Sequence, residues 1–143
     1  MKVFLDSNIW LRLFLRDQED QYNHCTQLFD AIDTGLFQPY TSSIVFLEVN
    51  YVLKSVYKLS TEDALKYLFT MKETRTLTVI EDTDITKALH YYKTHKVKFT
   101  DCLIASQLKS SLILVSFDEE MKKIKEITTK TPAQILSSFK KSN

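Results

Sequence analysis

Glycine is almost missing from this chain, with Gly35 the only one in 143 residues. A glycine-rich loop that cradles phosphates is therefore excluded. Proline is nearly as scarce: Pro39 and Pro132 stand alone, and no repeat, linker or low-complexity tract divides the sequence. The two cysteines, Cys25 and Cys102, lack paired spacing, which argues against a disulfide framework and fits free thiols in a reducing compartment. His24, His90 and His95 share no ligand spacing with each other or with either cysteine, so a zinc site is not expected. An excess of one charge is also missing. Nineteen basic against 18 acidic side chains leave a net +1, and overall charge announces no nucleic-acid binder. No run approaches the roughly 20 apolar residues that cross a bilayer, and Asp6 interrupts the first apolar run too early for a secretory signal. These absences predict a cytoplasmic protein with one domain over residues 1–143.

What is present is an alternation of short apolar runs with longer segments of helical period. Strands are expected at 2–5, 38–41, 77–81 and 112–117, with a weak fifth near 126–128. Helices are expected near 8–16, 20–34, 43–58, 61–73, 84–95, 100–110 and 132–139. Ser60 with Glu62 and Asp63, Thr83 with Asp84, and Thr131 before Pro132 are helix starts, and Gly35 is a helix stop. Alternating strands and helices imply right-handed crossovers and a parallel sheet, an α/β fold. Residues 139–143 are expected to fray into solvent. Trp10, Tyr51, Phe99 and Phe117 are expected in the core rather than as a base-stacking platform. Lys122, Lys123, Lys125, Lys140 and Lys141 are read as a solvated face, with phosphate tracking the alternative.

Four carboxylates fall where carboxylates are hard to keep. Asp6 ends the run 1–5, Asp118 ends the run 112–117, Asp101 opens a helix, and Glu48 interrupts the apolar helix 44–53. Glu48 shares its stripe with Ile44, Tyr51, Val52 and Ser55, while Val45, Phe46, Val49 and Leu53 occupy the other faces. An ionised Glu buried there without a partner costs several kcal/mol. Taken singly, Asp6 has an ordinary explanation as a turn cap, and Asp101 and Asp118 as acids of a helix start. Taken together, they call for a counter-charge. Two carboxylates about 4 Å apart repel by roughly 4 kcal/mol at an effective dielectric near 20. In an open parallel sheet, ligands bind beyond the carboxyl ends of the strands where strand order reverses, so Asp6 and Asp118 meet there if their strands are neighbours. Mg²⁺ or Mn²⁺ suits oxygen-only ligands and can activate a water while shielding a phosphodiester.

The run from Leu5 to Leu11, the Glu48 helix, Phe99 to Ala105 and Val115 to Asp118 together resemble the four motifs of PIN-domain ribonucleases. The resemblance is closest to VapC-type toxins of toxin–antitoxin pairs and extends to the proline-led segment 131–136. It implies a three-layer α/β/α fold around a parallel sheet of four to five strands, and an Mg²⁺- or Mn²⁺-dependent endoribonuclease. Asp6 and Asp101 would be the principal metal ligands and Asp118 a further one. Glu48 would act through water, and Asn8 and Ser116 would orient the carboxylates. It also implies an RNA substrate, a small antitoxin partner and a homodimer. Ser7 and Ser116 stand where the family more often has Thr, keeping the hydroxyl and losing a methyl. Arg12 and Arg16 are the basic residues nearest Asp6, and which of Asp118, Glu119 and Glu120 faces the ion stays open at this point. Two competing readings are a non-catalytic RNA- or protein-binding module and a structure-specific DNA nuclease. Dehalogenase-type phosphatases want an acid where Asn8 stands, and receiver domains want paired acids near the first strand and a late strand-end Lys, so both fit less well.

Overall fold

The computed structural model describes residues 1–141; positions 142–143 of the segment expected to fray lie outside the described residues. In chain order the elements are β1 (Lys2–Leu5), α1 (Ser7–Leu15), α2 (Glu19–Asp33), β2 (Gln38–Ser42), α3 (Ser43–Ser55), α4 (Thr61–Lys72), β3 (Thr78–Ile80), α5 (Ile85–His95), α6 (Phe99–Ser106), β4 (Leu112–Val115), a 3-10 turn (Glu119–Lys123), β5 (Thr129–Lys130) and α7 (Pro132–Lys141). The strands form one parallel sheet in the order β3-β2-β1-β4-β5. The chain winds outward from β1 to β3, then returns past β1 to β4 and β5. Right-handed crossovers therefore put α1–α4 on one face and α5–α6 on the other. The reversal opens a crevice at the carboxyl ends of β1 and β4, which pair in the register Leu5 with Val115.

The central strands are apolar because both faces are covered. Val3, Phe4 and Leu5 of β1 and Leu114 and Val115 of β4 are fully buried, with Ile9, Trp10, Leu28, Val49 and Leu53 packed in the same cluster. A smaller cluster joins Ala88, Tyr91, Cys102 and Ala105 beneath α5 and α6. Both cysteines are free and buried. Burial pushes the Cys25 thiol up to about 12, so it behaves as a small apolar side chain. Ser60 and Asp84 cap α4 and α5 by accepting the N–H groups of Asp63 and Lys87. Gly35, at φ 83, follows the end of α2, where a residue without Cβ is favoured. Among the described residues, no helix is long and apolar enough to cross a membrane.

Several expectations need correction. The fifth strand is Thr129–Lys130, not 126–128. Ile127 carries the apolar signal there, but it packs against both clusters from a turn. β4 stops at Val115, and α3 and α6 end at Ser55 and Ser106, several residues before the periodicity does. Residues 139–141 are helical and not frayed, because α7 runs to Lys141 and Phe139 meets Phe37 edge-to-face at 5.9 Å. Of the aromatic residues assigned to the core, Trp10 is fully buried, but Tyr51 is 66% and Phe99 38% exposed. Tyr51 and Leu47, one turn apart, occupy the face of α3 opposite Val45, Val49 and Leu53.

Candidate functional site

Asp6 is the first residue beyond β1 and the N-cap of α1, so strand and helix fix it from both sides. Its backbone N–H continues the ladder by donating to Val115 at 3.1 Å. One carboxylate oxygen accepts the Ser7 N–H at 2.8 Å; the other accepts the Ser116 hydroxyl at 2.7 Å. Ser116 in turn accepts the Asn8 side-chain amide at 2.9 Å and the Asp118 N–H at 3.0 Å. Asn8 closes the ring by accepting the Phe117 N–H at 3.1 Å. Asp118 caps the 3-10 turn by accepting the Glu120 N–H at 2.9 Å. Asp6, Asn8, Ser116 and Asp118 are thus tied into one network across the β1–β4 crevice. Such a network holds each acceptor in one orientation.

Glu48 reaches the crevice from the second turn of α3, and Asp101 from the first turn of α6. The electrostatic consequences are large. Burial, reinforced by the charges of Asp6 and Asp101, raises the Glu48 carboxyl to about 7. Burial likewise raises Asp101 to about 7, reinforced by Asp6, Asp118 and Glu120. Asp6 is raised by burial, opposed by its bonds from Ser116 and Ser7, and raised again by Asp118. The charge of Asp6 thus acts on both Glu48 and Asp101, that of Asp101 on Glu48, and that of Asp118 on both Asp6 and Asp101. Asp118 and Glu120 are the members of the 118–120 run that act on Asp101, while the Glu119 and Glu120 carboxylates also pair with Lys122 and Lys123.

One residue that the sequence pattern does not single out, Lys98, enters the site, and Ser7, noted in the sequence only for its hydroxyl, takes part as well. Lys98, at the N-cap of α6, lowers Asp6, Glu48 and Asp101 alike and is their common nearby cation. Ser7 lowers Glu48 through its side chain while its N–H holds Asp6. The position of Lys98 three residues before Asp101 is the only available signal, and it means little without the fold. Arg12 is elsewhere engaged, donating to Asp17 at 2.6 Å, and Arg16 pairs with Glu19 at 3.3 Å.

The donor set fits a hard divalent cation. Glu48 Oε1 and Asp101 Oδ2 are buried with no hydrogen-bond partner among the described residues. A buried carboxylate oxygen left unpaired is costly, and a cation would satisfy both. Among the described residues no three His, Cys, Asp or Glu side chains form a preassembled metal cage. Mg²⁺ requires none, since it keeps several waters and takes only one or two carboxylates directly.

The family described as PIN domain matches residues 3–127. No curated protein sequence matches the chain. Among solved structures, VapBC2 from Rickettsia felis bound to a DNA fragment from its promoter is similar at TM-score 0.62 and 22% identity, over 92% of this chain and 98% of that one. VapBC-1 from nontypeable Haemophilus influenzae is similar at TM-score 0.66 and 16% identity, over 93% and 99% of the two chains. FitAcB from Neisseria gonorrhoeae is similar at TM-score 0.60 and 18% identity, over 92% and 98%. These likenesses establish a shared fold.

Proposed function

The chain belongs to the PIN-domain family, and from that premise we propose that it is an Mg²⁺- or Mn²⁺-dependent endoribonuclease, the toxin of a toxin–antitoxin pair. The observation that carries the proposal is the pair of unpartnered buried oxygens, Glu48 Oε1 and Asp101 Oδ2, within a web of mutually repelling acids. A binding-only scaffold has no reason to keep that repulsion. Asp6 and Asp101 would hold the ion directly, with Asp118 a further ligand, direct or through water. The ion, when bound, would shield the phosphodiester and make a coordinated water acidic.

The chain's own residues have distinct tasks in this reading. Ser116 and the Ser7 N–H fix both oxygens of Asp6, leaving its outer lone pairs for the ion. Asn8 holds Ser116 in place, as residues behind metal-binding carboxylates commonly do. Glu48, raised to about 7, is suited to receive a proton from the attacking water near neutral pH. Lys98 offsets part of the acidic field that would repel an incoming phosphate.

RNA is proposed as substrate and the cytoplasm as the place of action, supported by two free thiols that suit a reducing compartment. A small antitoxin and a second copy of the chain are proposed as partners. The exposed apolar residues Leu47, Tyr51, Leu65 and Phe69 of α3 and α4 support a partner surface. The test is cleavage of RNA, single-stranded DNA and flap DNA in Mn²⁺, with and without EDTA. Cleavage of RNA alone, abolished by EDTA and by folded Asp6→Asn or Asp101→Asn, is the expected result. Preference for either DNA, or no Mn²⁺ binding by calorimetry, would overturn the proposal.

A further inference from the structure

Next to β4, whose end leads into Asp118, the edge strand β5 borders a basic hollow that the site does not use. Lys122 of the 3-10 turn, Lys130 at the end of β5 and Lys141 near the end of α7 line a concavity of about 560 Å³, together with Gln134, Ser137 and Ser138. We propose that this hollow binds a backbone phosphate of single-stranded RNA, flanking the phosphodiester presented to Asp6 and Asp101. The inference rests on the nuclease reading and deepens it by giving the substrate strand a direction.

The chemistry of the lining points to an anion. Three lysines line it together with hydroxyls and an amide, and none of the lining residues is acidic. Lys130 Nζ donates to Ser138 Oγ at 3.1 Å, which keeps the ammonium over the hollow instead of sweeping through water. Lys122 pairs with Glu119 at 3.0 Å, but a solvated pair of this kind contributes little and exchanges readily for a phosphate. A chain with net charge +1 must also draw a polyanion past four acids, which needs a local excess of cations nearby.

Register supplies the link to the catalytic edge. Lys130 pairs with Val115, its carbonyl accepts the Ser116 N–H at 3.0 Å, and the Ser116 hydroxyl holds Asp6. Adjacent strands lie about 4.8 Å apart, so the backbone of Lys130 in β5 stands one spacing from β4 and about 10 Å from β1. That is one or two nucleotides along a strand. Phosphate contacts carry no base preference, so the hollow would set register and not sequence choice.

The experiment measures binding of a short labelled single-stranded RNA by anisotropy in EDTA across a salt series, with cleavage in Mn²⁺ alongside. Lys130→Gln is expected to weaken binding about three- to tenfold and reduce the salt slope by about 0.7, and the Lys122→Gln, Lys130→Gln, Lys141→Gln triple variant by about 2. Lys130→Arg should keep the native slope. In cleavage, KM should rise while kcat stays within about twofold, and a dinucleotide too short to reach the hollow should be unaffected. Unchanged slope and KM in the triple variant overturn the inference while native cleavage leaves the nuclease reading intact. A native chain that binds RNA with a lysine-dependent slope but cleaves nothing supports the subsite and overturns the nuclease reading.

Discussion

Ser116 illustrates how much of the site depends on one hydroxyl. It donates to Asp6 and accepts from Asn8 and from the Asp118 N–H. Ser116→Ala is expected to weaken Mn²⁺ binding about 10- to 100-fold by calorimetry, the usual range when the group behind a ligating side chain is removed. Ser116→Thr, which keeps the hydroxyl, should bind Mn²⁺ within a few-fold of the native chain; loss in both would point to steric damage. Glu48→Gln is expected to act in the opposite directions on stability and activity. It removes a charge whose burial is unfavourable, so the metal-free protein should gain about 1–2 kcal/mol at pH 8, after allowance for its partial exposure, while RNA cleavage is lost. Chemical denaturation in EDTA measures the first and a cleavage assay the second. Glu48 was legible in sequence as a candidate because an acid amid apolar residues is anomalous wherever the chain folds, whereas Asp6 and Asp101 stood out only when the four acids were taken together. Lys98 was not legible, because a lysine in a polar loop is ordinary until the fold brings it beside three carboxylates.

At the scale of elements, legibility followed the strength of the apolar pattern. β1 and β4 are buried on both faces and read clearly as strands. β5 has two residues, Thr129 and Lys130, and is specified by its ladder to β4 and not by any hydrophobic run. The 3-10 turn after Asp118 depends on a single side-chain cap, too small a signal to stand out among three consecutive acids. The outward faces of α3 and α4 were unreadable for another reason. An apolar residue does not say whether its cover comes from the same chain, and Leu47, Tyr51 and Phe69 keep half or more of their surface open within it. Phe139 is the converse case, because its contact with Phe37 is more than 100 residues away along the chain. Phe139→Ala should cost about 1–3 kcal/mol, below the range for a fully buried aromatic since the ring is only half-buried. Denaturant unfolding measures it, and a change under about 0.5 kcal/mol would mean that α7 docks through Pro132, Ile135 and Leu136 without it.

For the whole molecule, gathering acids at the sheet's switch point makes stability depend on pH and on metal together. In the unfolded chain Glu48 and Asp101 lose their protons near 4.5 and 3.8, whereas in the folded protein each keeps its proton to about 7. Between those limits the folded state binds more protons, so stability falls as pH rises through the window and the penalty is complete above pH 7. Two such groups set a ceiling of about 2.7 kcal/mol per pH unit, and partial solvation lowers the actual slope. A divalent ion binds the deprotonated carboxylates, so its affinity rises with pH and its stabilisation opposes the penalty. Scanning calorimetry in EDTA should therefore give a higher Tm at pH 6 than at pH 8, and the rise in Tm on adding Mn²⁺ should be larger at pH 8. Asp101→Asn should flatten the EDTA curve between pH 6 and 8, separating this titration from others in the protein. Equal slopes in the native chain and the variant would mean that the folded protein does not hold the Asp101 proton, and the electrostatic case for a cation at the β1–β4 crevice would lose its basis.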